Sequence, residues 1–286
     1  MWLSKMFEER KRIVDKELDE FLDSNGTTLA KAMRYSLFAG GKRLRPLLAW
    51  LSYEACGGRD KEEILPFAGA LELAHTATLI HDDLPSMDND ELRRGKPTSH
   101  RVFGEAMAIL AGDALILAAL EMALRSKAPP KRVVESASLL SQAIGFKGVI
   151  KGQELDLFTK ELNPKSLRNI HKHKTAIFIA ACMEGGALLA GCPKKKREKI
   201  KKAGIYLGMA FQIQDDILDA IGNEKKLGKK ARKDKGKPTY TEVYGVERSI
   251  RIRDGYCRRA KRIFEELGEN WRVFKKITDF IARRDH

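Results

Sequence analysis

Leu71-Glu-Leu-Ala-His-Thr-Ala-Thr-Leu-Ile-His-Asp-Asp-Leu-Pro-Ser-Met-Asp88 is the stretch on which the reading of this chain turns. An apolar run ends in a cluster of carboxylates. The apolar character reaches back to about Glu62, so a helix over 62–83 carries apolar side chains on several faces. Such a helix belongs at the centre of a larger helical assembly. Carboxylates at the end of a buried helix are costly unless they are paired or bind a metal. On a regular helix Asp88 would point well away from Asp82. Pro85 removes a backbone donor and resists the helix interior, so a bulge there is expected to turn Asp88 back towards Asp82. Magnesium suits such a site, because it takes a few carboxylates plus phosphate oxygens. A polar loop that merely closes the helix fits this stretch equally well.

Working outward, helical spacing of apolar residues continues almost throughout. Helices are expected over 5–22, 28–38, 44–55, 62–83, 104–126, 131–145, 165–189, 195–222, 243–267 and 271–284. Alternating strand patterns bounded by turn dipeptides are absent from the sequence, which predicts an all-α, single-domain bundle over 1–286. The segment 106–124 is the most apolar, but Asp113 and Glu121 interrupt it; it reads as a core helix, and stable membrane insertion is not expected. Hydrophobic residues make up 43% and charged residues 33% of the 286, enough for a sizeable core. The net charge of +15 favours anionic partners without choosing among nucleic acid, acidic lipid and phosphorylated small molecules. Cys56, Cys182, Cys192 and Cys257 lack metal or redox spacing and read as reduced thiols of a cytoplasmic protein. The first ten residues carry Lys5, Glu8, Glu9 and Arg10, so a signal peptide is not expected.

A second acidic cluster decides between the two readings of the first. Gln212, Gln214, Asp215, Asp216 and Asp219 lie in Ala210-Phe-Gln-Ile-Gln-Asp-Asp-Ile-Leu-Asp219. Asp215 and Asp219 share a helix face and repel each other, among neighbours apolar enough to bury them. That arrangement destabilises unless a cation intervenes, and a metal held between acidic groups on facing helices resolves it. Asp156, in Gly152-Gln-Glu-Leu-Asp156, is a third contributor or an ordinary surface carboxylate.

Cations complement the acids. Gly40-Gly-Lys-Arg-Leu-Arg-Pro46 sets Lys42 and Arg45 beside glycines at a helix start, a place that favours phosphate. Arg93 and Arg94 follow the first acidic cluster, and Lys174 and Thr175 lie in His171-Lys-His-Lys-Thr175. His75, alone on an apolar helix, is by itself more in keeping with a satisfied core residue than with a ligand. The run 194–202 reads as a solvated surface. The basic run 223–238, with Lys229, Lys237 and two glycines, reads as a flexible loop. Acids for metal and cations for phosphate together describe a diphosphate site, which a nucleic-acid-binding helical protein would not need.

These motifs, in this order from about Gly40 to the C-terminus, resemble the trans-isoprenyl diphosphate synthases, the farnesyl and geranylgeranyl diphosphate synthase family, and most closely its bacterial and plant short-chain branch. Gly112-Asp113, Gly152-Gln153 and the run Leu92-Arg-Arg-Gly95 also match. The resemblance implies a homodimeric helical bundle around a deep apolar cavity. It implies that isopentenyl diphosphate is joined to an allylic prenyl diphosphate through an allylic cation. By match to the family motifs, Asp82, Asp88 and Asp215 hold Mg²⁺, aided by Asp83, Asp156, Asp216 and Asp219. Lys42, Arg45, His75 and Arg94 hold isopentenyl diphosphate. Arg93, Lys174, Gln212, Lys229 and Lys237 hold the allylic diphosphate, with Thr175 and Gln212 near the cation. A terpene cyclase would carry a different second motif, and a non-catalytic subunit would lack acidic ones.

Chain length is read from the turns before Asp82. Ala74, Ala77 and Thr78, with Ala70 beneath, are small side chains on the helix that ends at the cavity mouth. Relatives that stop at farnesyl commonly carry an aromatic residue at the position of Ala77 or Thr78. An open tunnel and a geranylgeranyl product are therefore expected, unless Met122 or Leu115 from another helix closes it.

Overall fold

A computed structural model describes residues 2–22, 26–159, 163–221 and 239–284. Four helices come first: α1 (Trp2–Phe21), α2 (Thr28–Leu37), α3 (Leu44–Ala55) and α4 (Lys61–Asp82). A hairpin of two-residue strands, β1 (Leu92–Arg93) and β2 (Lys96–Pro97), precedes α5 (Ser99–Phe103), α6 (Glu105–Leu124), α7 (Pro130–Ile144) and α8 (Val149–Phe158). Next, α9 (Pro164–His171) runs through a wider π turn (Lys172–Ala176) into α10 (Ile177–Leu189). The chain ends with α11 (Lys194–Ile221), α12 (Tyr240–Tyr244), α13 (Val246–Leu267) and α14 (Arg272–Arg283).

Helix α4 is the central post, packed against α6, α3, α1 and α10. Its start is fixed by Asp60, whose side chain accepts the Glu62 N–H, with Glu62 and Glu63 in the first turn. Pro66 lies inside the helix and cannot donate to the Glu62 carbonyl four residues back. The Lys127 N–H takes that carbonyl at 3.1 Å, so the break in the ladder becomes a tie to the end of α6. From Ile64 to Ile80 most side chains are buried, as the apolar pattern requires. A smaller apolar cluster of Leu167, Ala176, Met209, Ile213, Ile217 and Tyr240 joins α9, the π turn, α11 and α12 on the far side of the site.

Helix α6 departs from the expectation of a core helix. Ala108, Ala111, Leu115, Ala119 and Met122 are buried, but Ile109, Leu110, Leu117 and Leu124 are exposed on the opposite side. By length and composition alone α6 could cross a membrane, Asp113 and Glu121 notwithstanding. The uncovered side, which also carries the exposed Asp113 and Glu121, leaves an apolar strip for something outside this chain.

Other differences are local. The hairpin turns at Arg94 (φ 54°) and Gly95 (φ 77°), a left-handed pair that suits a two-residue loop. Two-residue strands are too short to show alternation. The helix expected over 243–267 is divided at Gly245, and α5 and α8 were not expected. Cys182, Cys192 and Cys257 are buried and Cys56 is half-buried, all free thiols. A hydrogen bond from the Cys56 thiol pulls Cys192 down to about 7 against the effect of burial, with Lys196 and Arg197 assisting.

Candidate active site

Helix α4 stops at Asp82, and a turn follows where a bulge was expected. The Asp88 N–H returns to the Asp82 carbonyl at 2.9 Å, and the Asp90 N–H to that of Asp83 at 3.1 Å. This closed turn carries Asp88 back to Asp82, and both line a cavity of about 280 Å³. From the far wall Gln212, Asp215 and Asp216 of α11 face them, with Lys174 and Thr175 of the π turn and Asp156 of α8. Thus the two acidic clusters, far apart in sequence, share one cavity. Among the described residues no three carboxylates or imidazoles converge closely enough to grip a metal by themselves. Magnesium, which is satisfied by one or two carboxylates plus phosphate oxygens, does not require that they do.

Carboxylates and cations alternate around this cavity. Withdrawal from water raises the Asp82 carboxyl to about 6, with Lys174 opposing the rise and Asp88 and Asp83 adding to it. Burial lowers Lys174, but Asp82 and Asp156 outweigh it and raise the ammonium to about 12; its Nζ lies 2.5 Å from Asp156 Oδ2. Asp82 is a carboxylate short of positive charge, which fits a cation at this spot. Arg93 reaches the same wall and is gripped by Asp83 and by Asp90, the latter at 3.0 Å. Asp83 itself is buried and lies off the cavity wall, so its visible work is to aim Arg93. Asp219, one turn past Asp215, is likewise buried and not among the lining residues.

A second, larger cavity of about 740 Å³ adjoins the first and is lined by Lys42, Arg45, His75, Arg94, Phe211 and Arg284, among others. Arg45, His75 and Phe211 belong to both walls. His75 Nε2 lies 3.0 Å from Arg45 Nη1. A guanidinium only donates, so Nε2 accepts and the imidazole is neutral with its proton on Nδ1. Burial first, and then Arg45 and Arg94, hold its pKa well below the ordinary value. His75 is therefore a half-buried wall residue of both cavities.

The glycine-rich loop before α3 is held by Arg43, in the left-handed region at φ 47°. Its buried guanidinium binds Asp15 of α1 and Glu72 of α4, each at 2.7 Å, and the Leu37 carbonyl. Gly41 adopts a backbone conformation that favours glycine (φ 117°), and a Cβ there would press on the tip of the Arg94 guanidinium. Arg94 donates to the Gly40 carbonyl, so hairpin and loop are one unit.

Thr78 lines the first cavity, its hydroxyl donating to the His75 carbonyl at 2.8 Å. Ala74 and Ala77 do not: both are fully buried in the core. Helix α4 turns them towards its neighbours, so of the three chain-length residues only Thr78 is on the wall. Leu115 is fully buried, and Met122 packs against Gly69. Lys229 and Lys237, with the segment 223–238, lie outside the described residues.

Comparison with known proteins fits this geometry. The polyprenyl synthetase family model matches residues 26–277. The chain belongs to that family. It is 41% identical to a geranylgeranyl diphosphate synthase of Cyanophora paradoxa, over 97% of this chain and 95% of that one. It is 36% identical to a farnesyl diphosphate synthase of Bacillus subtilis, over 99% of each. A Helicobacter pylori geranyltransferase solved with magnesium and isoprenyl diphosphate superposes with a TM-score of 0.83 at 30% identity, covering 94% of each chain. The chain is an all-α short-chain trans-isoprenyl diphosphate synthase, a prenyltransferase.

The sequence did not point to Phe211, His171, Thr239 or Arg284 as site residues. His171, Lys174, Thr175 and Phe178 all line the cavity at helical spacing, a stripe that was legible in principle. Arg284 carries no such signal; it reaches the site only because α14 ends beside α11.

Proposed function

We propose that this synthase is magnesium-dependent, takes isopentenyl diphosphate in the larger cavity and an allylic prenyl diphosphate in the smaller one, and stops at geranylgeranyl diphosphate. The observation that carries the reading is the pair of adjoining cavities, one acidic and basic, the other predominantly basic, with Arg45, His75 and Phe211 between them. Asp82, Asp88 and Asp215 would hold magnesium, with Asp156 nearby; the metal would neutralise charge that grows on the departing diphosphate. Lys174 and Arg93 bind that same diphosphate. Lys42, Arg45 and Arg94 hold the second diphosphate, and neutral His75 adds no positive charge between the two.

As the allylic C–O bond breaks, the isopentenyl double bond forms the new C–C bond. The proton then lost from the isopentenyl carbon passes to the released diphosphate. Thr175 and Gln212 present oxygens to the intervening positive charge. The small side chain of Thr78 on the wall of the first cavity supports a product beyond farnesyl.

The test is incubation with isopentenyl diphosphate and each of dimethylallyl, geranyl and farnesyl diphosphate, with and without chelator, followed by mass identification of the product. Geranylgeranyl diphosphate from all three primers, abolished by chelator, is expected. No extension of any primer would overturn the whole reading, and arrest at farnesyl would overturn the chain length.

We also infer that the chain forms a homodimer through the outer face of α6, because Ile109, Leu110, Leu117 and Leu124 leave an apolar strip there. Light scattering should give a dimer for wild type and a monomer for Leu117→Glu. A monomeric wild type that sediments with lipid vesicles would place that face on a membrane instead.

A further inference from the structure

Asp215 and Asp216 are neighbours in sequence, but the structure gives them different surroundings. Asp215 is partly open to the cavity, with its side chain 39% exposed. Asp216 also borders the cavity, but its side chain is only 2% exposed and both of its oxygens are engaged by groups of the protein. Its Oδ2 accepts the Tyr240 N–H at 2.8 Å and lies 3.6 Å from His171 Nε2. Its Oδ1 accepts from Gln212 Nε2 at 3.4 Å. At the other end of the same amide, Gln212 Oε1 accepts the Thr175 hydroxyl at 2.7 Å.

A carboxamide has two ends of opposite character, and Gln212 could present either to the cavity. Thr175 does not choose between them, because a hydroxyl donates to an oxygen and accepts from an NH₂ equally well. Asp216 does choose. A carboxylate only accepts, so it draws the NH₂ end to itself and leaves the oxygen end with Thr175 on the cavity wall. Oxygen there is the negative end of the amide dipole; an NH₂ would oppose any positive charge forming in front of it.

We propose that Asp216 is a positioning residue, and not a magnesium ligand: it sets the Gln212 amide so that its oxygen faces the positive charge that develops on the allylic carbon. This rests on the function proposed above. The same carboxylate ties the first residue of α12 to α11, beside Thr239 on the cavity wall.

Asp216→Asn separates the roles. The asparagine oxygen can still accept the Tyr240 N–H, and its NH₂ then faces Gln212, which turns its oxygen inward and its NH₂ to the cavity. The expected result is a kcat about ten- to a hundredfold lower. KM for isopentenyl diphosphate should stay within about twofold, because that substrate meets the other cavity, and Mn²⁺ affinity by electron paramagnetic resonance should be unchanged. Asp215→Asn, the comparison, should lose Mn²⁺ affinity. Adding Asp216→Asn to Gln212→Ala should slow the enzyme no further, because the first residue acts through the second. If the asparagine variant does not fold, Asp216→Ser, also without a carboxylate, gives the same readouts. Loss of Mn²⁺ affinity equal to that of Asp215→Asn, or a full further loss of kcat in the double variant, would overturn the proposal. A wild type inactive with every primer would refute the parent function, and the Mn²⁺ titration would still decide whether Asp216 is a ligand.

Discussion

Arg284 Nη2 lies 2.6 Å from Asp215 Oδ1 and 2.9 Å from the Phe211 carbonyl, with its guanidinium 3.8 Å from the centre of the Phe211 ring. The end of α14 thus holds the carboxylate that leads the second acidic cluster. A cation arriving at Asp215 has to displace or share this guanidinium.

Arg284→Ala should therefore tighten Mn²⁺ binding. A charged hydrogen bond contributes about 1.5–3 kcal/mol when dry, but Asp215 is partly exposed, so about 1 kcal/mol is the reasonable scale. That corresponds to about fivefold in affinity. Titration of the two proteins under electron paramagnetic resonance checks it; weaker binding in the variant would show that Arg284 cooperates with the metal.

Asp82 gives a pH prediction. Its carboxyl is raised from 3.8 to about 6, chiefly by withdrawal from water. The folded chain therefore keeps a proton that the unfolded chain gives up across that window, so stability from this group falls as pH rises and the penalty is complete above about 6. Asp82→Asn removes the penalty, worth up to about 3 kcal/mol. In chelator the variant should melt higher than wild type at pH 7.5, with the gap closing towards pH 4.5. A variant that melts lower at pH 7.5 would show that Asp82 is paid for by a partner.

Gly152 sets the distance between α8 and the π turn. A Cβ there would come within 2.2 Å of the Lys174 nitrogen and 2.5 Å of its Cα. Backbone cannot yield as a side-chain tip can, so Gly152→Ala should push α8 away and carry Lys174 off the cavity wall. Overpacking of this kind costs about 1–3 kcal/mol, and a misplacement of ~1 Å at a reacting group lowers rate about a hundredfold. Calorimetry and steady-state kinetics should both register the change. Normal turnover would mean that the position of Lys174 is not critical.

Product length is tested at Thr78, which is on the cavity wall, and not at Ala77. A tyrosine at Ala77 would have to enter a filled core, with a stability cost that obscures any effect on product. Thr78→Phe projects an aromatic ring into the cavity and should shift the product towards farnesyl diphosphate. An unchanged product spectrum would place the floor of the tunnel elsewhere.

The acidic and basic motifs are legible in the sequence because their chemistry is expensive to bury without a purpose, and this gathers Asp82, Asp88, Lys174, Gln212 and Asp215 into one candidate site. What was not legible depends on direction. Asp83 and Asp219 sit within the same motifs as the wall residues but turn inward, Asp83 to Arg93. Ala74 and Ala77 precede Asp82 on the right helix but face its neighbours. Helix α8 escaped notice because its apolar residues do not form one stripe; Ile150 and Phe158 are exposed while Gly152 and Gln153 are buried. The outer face of α6 escaped because an apolar helix looks the same in sequence whether covered by its own chain or by another.

The turn after α4 also bears on the thermodynamics of metal capture. Residues 82–90 are already closed on themselves by backbone bonds from Asp88 to Asp82, Asn89 to Leu84 and Asp90 to Asp83. The entropy of bringing Asp88 back to Asp82 is therefore lost when the chain folds, and not again when an ion arrives. Calorimetry of Mg²⁺ binding should accordingly show little of the unfavourable ordering entropy that marks a loop folding around its ligand. Conversely, opening this ring, by replacing Pro85 with glycine for example, should weaken binding through entropy while leaving the set of ligands intact.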